Sequence, residues 1–306
     1  MQGLIDEIRQ IPEAAFVCYE QNKRVRLPLD VPYLGMGSSY FAPLTFFYAG
    51  IPIHPFIASE YYRYLARTCE PLGVLISQSG ESSETLWNVE KFENVIAITN
   101  NVQSGLAQAR NTQTIIEIHA GEEHYSSTKT YVNTFVTLSL GFEIDPLPAV
   151  QFIRDKASFI EQKAQEKAGQ IFEHFRKHDS RGFYVLGSGP NIGTAYEAAL
   201  TLTETTKLPW NGMPIAQYDH GTKEAGAKSV IIACDGYGNA NRIDEISVSL
   251  RSSEALFIRL EEPEVAEILS PIPYIFELNL IMNFLADHLG VKDMFQFGGK
   301  ITTVDE

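Results

Sequence analysis

The sequence predicts an α/β protein in which a parallel β-sheet flanked by helices occurs twice. Apolar segments of strand length alternate with stretches of helical periodicity, an alternation typical of parallel sheets. After a long amphipathic segment, the same alternation restarts at residues 182–189. A chain of 306 residues with 44% apolar content can also bury the cores of two medium-sized domains.

In the first half of the chain, five apolar segments predict the strands of one sheet. Most of them precede small or polar residues and then a helical pattern. These segments are residues 32–36, 51–57, 74–76, 95–99 and 115–118. A helix is predicted over residues 150–177, because apolar side chains recur near helical spacing at Phe152, Ile160, Ile171 and Phe175.

The most informative motif reads Ser-Gln-Ser-Gly-Glu-Ser-Ser-Glu-Thr and starts at Ser77, between a predicted strand and a helical pattern. The side chains of Ser77, Gln78, Ser79 and Ser82 could all donate to one anion, together with backbone N–H groups freed by Gly80. The alternative is an ordinary capping box, in which Ser79 or Ser82 starts the helix. A cap needs only one hydroxyl, so the excess of donors favours a phosphate site.

Similar segments in the two halves predict an internal duplication. The matching pairs are residues 34–37 with 186–189, 50–53 with 212–215, and 73–80 with 229–236. In the last pair, Cys234 and Asp235 stand where the first half has its serine cluster, so we expect a phosphate site in the first half only. Residues 214–217 have the composition of a further strand.

Charge and composition exclude several classes of function. The net charge of −14 opposes binding of nucleic acid, and the densest basic stretch, residues 23–26, is too short to form a groove. A small anion can still bind, because net charge is screened within about 10 Å while hydrogen bonds act at contact. The Gly-x-Gly at residues 35–37 lacks the third glycine of a dinucleotide fingerprint, since position 40 is Tyr. We therefore predict no nucleotide cofactor.

The cysteine and histidine content makes further predictions. The three cysteines are an odd number without paired spacing, and the N-terminus shows no leader or long uncharged span. We expect a reduced, cytoplasmic protein without membrane spans. The seven histidines lack the spaced partners of a zinc site, so no metal is expected.

Three polar residues, Glu197, Thr201 and Glu204, follow one another at spacings of four and three on the helix predicted after Gly189. These spacings place them on one helix face. Such a face is usually solvated, and Lys207 could pair with Glu204 there. The surrounding residues are mostly Ala and Leu, however, and a carboxylate in apolar surroundings can carry a proton and act as a proton shuttle.

His220 and Lys300 complete the candidate catalytic residues. His220 lies between Asp219, which could tune its charge, and Gly221, which lets another group approach closely. Lys300 follows two glycines near the C-terminus; a tail folded back into a pocket would let its amine form a Schiff base with a sugar carbonyl. Alone, each residue has a simpler interpretation, as a structural histidine and a solvated lysine.

Together these residues resemble the sugar isomerase (SIS) family over nearly the whole chain, and most closely the isomerase half of glutamine–fructose-6-phosphate aminotransferases. His220 follows Glu204 by sixteen residues, as in that family, and a terminal lysine precedes a short tail. The other matching segments are residues 37–40, 50–52, 57–60, 77–85, 127–129 and 197–204.

The resemblance implies two tandem SIS domains, each a flavodoxin-like three-layer sandwich. The implied parts are a helical segment at residues 1–24, a phosphate-binding domain at 25–149, a domain with the catalytic helix at 150–290, and a tail over the site at 291–306. No cofactor or metal is implied. The family also implies a homodimer in which His220 reaches the site of the neighbouring subunit.

The resemblance further implies a role for each site residue. Glu204 would move a proton between C1 and C2 of the sugar, His220 would assist ring opening, and Lys300 would engage the carbonyl. The sugar would lie near Tyr125 and Ser127. The phosphate would be held by Ser38, Ser39, Ser77, Gln78, Ser79 and Ser82.

Departures from the aminotransferase pattern leave the reaction open. The chain begins Met1-Gln2 with no glutaminase nucleophile, so we expect it to lack that half. Thr201 replaces a lysine of the synthases, as in fructosamine-6-phosphate deglycases. The alternatives are therefore an isomerase or deaminase of a keto- or amino-hexose 6-phosphate, a deglycase, and a sensor that binds without turnover. A DNA-binding regulator is the least favoured alternative, because residues 1–30 leave no room for a helix-turn-helix and the net charge opposes DNA binding.

Overall fold

The computed structural model describes residues 2–180, 182–236 and 240–295 and contains two parallel β-sheets flanked by helices. The chain forms two compact units. The unit with the first sheet, here the five-stranded unit, comprises Glu13–Glu123 and Lys129–Leu147. The four-stranded unit comprises residues 2–12, His124–Thr128 and Pro148–Met294. The predicted α/β class is confirmed.

The strands recur in the same order in both sheets. In the described residues they are β1 (Pro32–Gly35), β2 (His54–Ile57), β3 (Glu70–Ile76), β4 (Phe92–Thr99), β5 (Thr112–Glu117), β6 (Phe183–Gly187), β7 (Trp210–Pro214), β8 (Val230–Cys234) and β9 (Leu256–Leu260). The first sheet has the order β2-β1-β3-β4-β5 and the second β7-β6-β8-β9, with all pairs parallel. The five strands predicted in the first half are confirmed in order, although β2 begins only at His54.

Helices connect these strands, as parallel pairing requires. In the described residues they are α1 (Gln2–Arg9), α2 (Ile11–Asn22), α3 (Ser38–Tyr48), α4 (Ala58–Glu60), α5 (Ser83–Trp87), α6 (Gly105–Gln108), α7 (Lys129–Gly141), α8 (Leu147–His178), α9 (Asn191–Thr206), α10 (Ile215–Asp219), α11 (Ala240–Leu250) and α12 (Pro271–His288). A π-helical turn spans Tyr61–Leu65, and 3₁₀ turns cover Asn88–Lys91, Thr222–Ala225, Arg251–Ser253 and Glu267–Leu269. The long helix predicted over residues 150–177 is confirmed as α8.

Glycines at the ends of β1 and β6 let the next helix pack directly on the strand. A Cβ atom on Gly35 would lie 2.5 Å from the carbonyl oxygen of Ser39, and one on Gly187 would lie 1.9 Å from that of Asn191. Both contacts are far below van der Waals distance, so neither position tolerates a side chain. The first turns of α3 and α9 are therefore held against the carboxyl edges of their sheets.

Strand register corrects the predicted match between residues 73–80 and 229–236. Leu34 of β1 pairs with Leu75, and its counterpart Leu186 pairs with Ala233. The counterpart of Ser77 is consequently Asp235, two residues beyond the position that the sequence match gave. Backbone hydrogen bonds support this equivalence of Ser77 and Asp235. The N–H of Ser77 donates to Ile98 O and that of Asp235 to Leu260 O, both at 3.0 Å.

The predicted match of residues 50–53 with 212–215 is also wrong, since Leu34 pairs with Phe56 and Leu186 with Met213. The second error is a shift by five residues, which strand periodicity does not explain; periodicity explains the first error, a shift by two. Apolar runs are similar after a shift, and a shift by two keeps the same faces inward.

The strand predicted at residues 214–217 is wrong. The strand β7 ends at Pro214, and α10 begins at Ile215. Periodicity cannot distinguish strand from helix in so short an apolar run, and proline is compatible with the first turn of a helix.

The helix α12 forms much of the core of the four-stranded unit, where it packs against α9 and α1. Residues 267–288 are long and apolar enough to span a membrane by length and composition, but 89% of the apolar 18-residue window within them is buried inside the protein. Glu277 interrupts the apolar surface and is only 1% exposed. It pairs with Lys167 of α8, and Lys163 lies 4.0 Å away.

Candidate active site

The turn at residues 77–82, here called the serine turn, follows β3 at the carboxyl edge of the first sheet. Ser77 is buried, and its hydroxyl donates to Ser82 Oγ at 3.2 Å. The N–H of Gly80 donates back to Ser77 Oγ at 3.1 Å. Gly80 has φ +69°, a left-handed conformation that favours glycine. The turn thus brings two of the predicted phosphate ligands together.

The capping-box alternative for the serine turn is wrong. Ser82 precedes α5, but its side chain makes no capping hydrogen bond. Ser79 Oγ accepts the N–H of Glu81 at 3.2 Å, still within the turn. Because α5 has only five residues, its dipole is also a small contribution. The serines therefore line the turn itself.

The other predicted phosphate ligands leave the same edge of the sheet. Ser38 and Ser39 form the first turn of α3 directly after β1, which pairs with β3. Both are half-buried. Gln78 is half-buried. Its backbone carbonyl accepts a hydrogen bond from the N–H of Asn100 at 3.0 Å, which fixes the backbone of the turn. Loops after neighbouring parallel strands lie side by side, so these donors can converge on one ligand.

The acidic residue of the serine turn is engaged by the protein itself. The carboxylate of Glu81 accepts the N–H of Gly105, at the start of α6, at 2.7 Å. This contact stabilises the turn and gives the negative charge a backbone partner.

The predicted polar face of α9 is not a solvated face. Glu197 is 1% exposed and Thr201 is 2% exposed, whereas Glu204 is half-buried. The Thr201 hydroxyl bonds within its own helix, with Glu197 O at 3.1 Å and Ala198 O at 3.3 Å. Of the three residues, Glu204 is therefore the one best placed to reach a ligand.

The carboxylate of Glu204 is oriented by a serine that sequence analysis missed. Ser126, 2% exposed, donates from Oγ to Glu204 Oε2 at 2.9 Å. The ammonium of Lys207 donates to the backbone carbonyls of Glu204, at 2.6 Å, and Met294 instead of pairing with the Glu204 carboxylate at the surface. The carboxylate is thus positioned by a neutral donor.

The segment that carries Ser126 also carries the two predicted sugar-binding residues, Tyr125 and Ser127, both half-buried. The backbone N–H of His124 donates to Glu7 of α1 at 2.9 Å. A Cβ atom on Gly3 of α1 would lie 2.4 Å from the Tyr125 hydroxyl, so the ring packs directly on that helix. Helix α1 therefore fixes this segment beside α9 within the four-stranded unit.

His220 is exposed and follows the last residue of α10. Asp219, the residue predicted to tune the charge of His220, accepts a hydrogen bond from Lys223 at 2.7 Å. The ammonium of Lys223 holds the pKa of Asp219 below its ordinary value. Lys300 lies outside the described residues. In the part of the chain that the structure describes, no three His, Cys, Asp or Glu side chains cluster as metal ligands.

Comparisons with known proteins show what this chain is similar to. Residues 33–143 match the SIS domain. Glutamine–fructose-6-phosphate aminotransferase of Pyrobaculum aerophilum is 28% identical over 298 residues, which cover 85% of this chain and 49% of that protein. The same enzyme of Pyrococcus horikoshii is 29% identical over 296 residues, with 82% and 48% covered. The chain spans about half the length of these curated relatives.

Solved structures show the same fold. The C-terminal domain of glucosamine-fructose-6-phosphate aminotransferase from Francisella tularensis superimposes with a TM-score of 0.76 at 21% identity, covering 94% of this chain and 96% of that one. Glucosamine-6-phosphate deaminase from Thermotoga maritima gives 0.77 at 17% identity, covering 93% and 94%. The serine turn lies within the matched segment. The chain therefore contains an SIS domain, at residues 33–143.

Proposed function

We propose that this protein is an enzyme that moves a proton between C1 and C2 of a keto- or amino-hexose 6-phosphate and couples this step to gain or loss of nitrogen at C2. The observation that carries the proposal is the half-buried carboxylate of Glu204, held by the buried Ser126 hydroxyl at 2.9 Å. A neutral donor orients the carboxylate without neutralising it. Such a group can act as a general base.

Phosphate binding would anchor the substrate far from the reacting carbons. The hydroxyls of Ser77 and Ser82 lie 3.2 Å apart and could both donate to one phosphate group. Binding energy from this remote group would position C1 and C2 at the base. The remaining proposed phosphate ligands are Ser38, Ser39, Gln78 and Ser79, with Tyr125 and Ser127 beside the sugar.

His220 and Lys300 would complete the reaction by opening the ring and engaging the carbonyl. Because His220 is exposed, we propose that it serves the neighbouring subunit of a homodimer.

We also propose that the two units are tandem SIS domains, since β2-β1-β3-β4 and β7-β6-β8-β9 have the same order and direction. The three cysteines, all free, fit a reduced cytoplasmic protein.

A Glu204→Gln variant tests the base. We expect turnover to fall by about 10²- to 10⁴-fold, because the amide cannot take up a proton, while sugar-phosphate binding is retained. Release of ammonia and formation of fructose 6-phosphate from glucosamine 6-phosphate would be measured, with binding followed by calorimetry. The matched control is Glu224→Gln, an exposed position of the same unit. Unchanged turnover of Glu204→Gln would contradict the assignment.

A deglycase is the second candidate, and Thr201 favours it. Thr201 takes the place of a synthase lysine and uses its hydroxyl within α9, so it supplies neither charge nor amine. Parallel incubations with glucosamine 6-phosphate and with a fructosamine 6-phosphate of an amino acid separate the two candidates. Ammonia from the first indicates a deaminase, and free amino acid from the second a deglycase. Binding of both without any product would favour the sensor.

A further inference from the structure

We propose that Ser126 is a positioning residue that keeps Glu204 hydrogen-bonded in both of its protonation states. The inference rests on the proposed function, in which Glu204 alternately accepts and returns a proton. Ser126 lies outside the residues that the sequence pattern singled out. The structure nevertheless places its hydroxyl against the proposed base.

The Ser126 hydroxyl has two acceptors within reach but only one proton. Its oxygen lies 2.9 Å from Glu204 Oε2 and 3.3 Å from Met294 Sδ. An ionised carboxylate is a much stronger acceptor than a thioether. The proton therefore points at Oε2 while Glu204 is ionised.

The arrangement reverses when Glu204 takes a proton from the sugar. The new Oε2–H can donate to Ser126 Oγ, and the serine proton can rotate towards Met294 Sδ. Proton count is conserved, because the proton stays on Glu204 and the serine keeps its own. Each protonation state thus has a hydrogen-bonded arrangement in which the carboxyl group does not move.

Burial and neighbouring hydrogen bonds restrict the movement of Ser126 and Met294. Ser126 and Met294 are buried, at 2% and 5% exposure, so no bulk water competes for the hydroxyl. His124 is tied to Glu7 of α1 on one side of the serine. Lys207 donates to the backbone carbonyls of both Glu204 and Met294, which holds these two residues together.

Steady-state kinetics of Ser126→Ala and Ser126→Thr test the proposal. For the alanine variant we expect kcat to fall by about 10- to 100-fold, as for loss of a hydrogen bond to a charged group. KM should stay within about twofold, and the acid limb of the pH–rate profile should move to higher pH because the carboxylate loses a donor. The threonine variant keeps the hydroxyl and should recover most of kcat. A raised KM with unchanged kcat, or an unmoved acid limb, would overturn the proposal.

A titration that needs no turnover separates this inference from the proposed function. In protein with ¹³C-labelled glutamate carboxyls, the Glu204 signal is assigned by its loss in Glu204→Gln. Its titration midpoint should rise in Ser126→Ala and fall in Met294→Leu, since the first removes the donor to the ionised form and the second an acceptor used in the protonated form. Shifts of opposite sign without turnover would reject the proposed function but support the inference; midpoints that do not move would reject the inference.

Discussion

Gly80 determines the conformation of the serine turn, because two constraints meet there. Its φ is +69°, and a Cβ atom would lie 2.0 Å from Ser104 Oγ. We expect Gly80→Ala to destabilise the protein by about 1–3 kcal/mol, from left-handed strain plus the clash, and to weaken sugar-phosphate binding. Chemical denaturation and calorimetry measure the two effects.

Gly50→Ala is the matched control for Gly80. Gly50 also has positive φ, +89°, but a Cβ atom added there would meet no heavy atom of the described residues within 4 Å beyond its chain neighbours. The free energy of unfolding of Gly50→Ala should therefore fall by only about 1 kcal/mol, from backbone strain, and the variant should bind the sugar phosphate as tightly as the wild type. Equal loss of binding in both variants would show that the conformation of the serine turn is not what matters.

The cysteines should differ sharply in reactivity. Burial raises the pKa of the Cys18 thiol to about 11, and burial likewise raises the pKa of Cys234. The thiolate is the reactive form, so both should resist alkylation at about pH 8, whereas the exposed Cys69 should react. Mass spectrometry after iodoacetamide should find one label per native chain and three after unfolding. Labelling of Cys18 in the native protein would contradict its burial.

Individual candidate site residues could be predicted where they belong to a recognisable local pattern in the sequence. Helical spacing alone placed Glu197, Thr201 and Glu204 on one face, and the hydroxyl excess identified the serine turn. Ser126 has no such pattern, because it lies 78 residues before its partner Glu204 and beside Ser127, which sequence alone does not distinguish from it. The proposed role of Ser126 depends on a tertiary contact with Glu204, and no pattern in the sequence around Ser126 indicates that contact.

At the scale of elements, breaking the ion pair between α8 and α12 should destabilise the four-stranded unit. Glu277→Ala would leave Lys167, itself only 16% exposed, without its carboxylate, at a cost of about 3–5 kcal/mol. Glu161→Ala is the control, since the Arg9–Glu161 pair is partly exposed and should contribute about 0–1 kcal/mol. Urea denaturation compares them. A smaller loss for Glu277→Ala than for Glu161→Ala would contradict this interpretation.

Helices and strands were predictable in proportion to the length of their periodic signal. The 32 residues of α8 repeat the apolar spacing many times, and the prediction was correct within three residues. In contrast, α10 has five residues, and its apolar composition resembled a strand. The similarity between the two halves was detectable in the sequence, but the register of the strands needed the backbone pairing that only the folded sheets show.

At the scale of the whole molecule, the proposed dimer can be tested by mixing two inactive variants, Glu204→Gln and His220→Ala. If His220 acts in the neighbouring subunit's site, a mixed dimer has one site with both defects and one intact site. Random reassociation should then restore about a quarter of wild-type activity, because half of the dimers are mixed. No recovery, with exchange of subunits shown by mass spectrometry, would place both residues in the site of one chain.

The overall architecture was predictable because strand–helix alternation extends along the whole chain. The path of the chain between the two units was not. Composition changes little at residues 12, 123 and 128, where the chain passes from one unit to the other. Only packing, such as that of Tyr125 on Gly3, assigns these short segments to the four-stranded unit.

This passage of residues 124–128 into the four-stranded unit constrains how such proteins can recombine. A chimaera joined at residue 147 would inherit Glu204 from one parent and its hydroxyl partner from the other. If the parents differ at position 126, the hybrids would have both sheets intact, but Glu204, the proposed base, would lack its hydrogen bond from Ser126. Exchange of halves between relatives should therefore succeed only when residues 124–128 come from the same parent as α9.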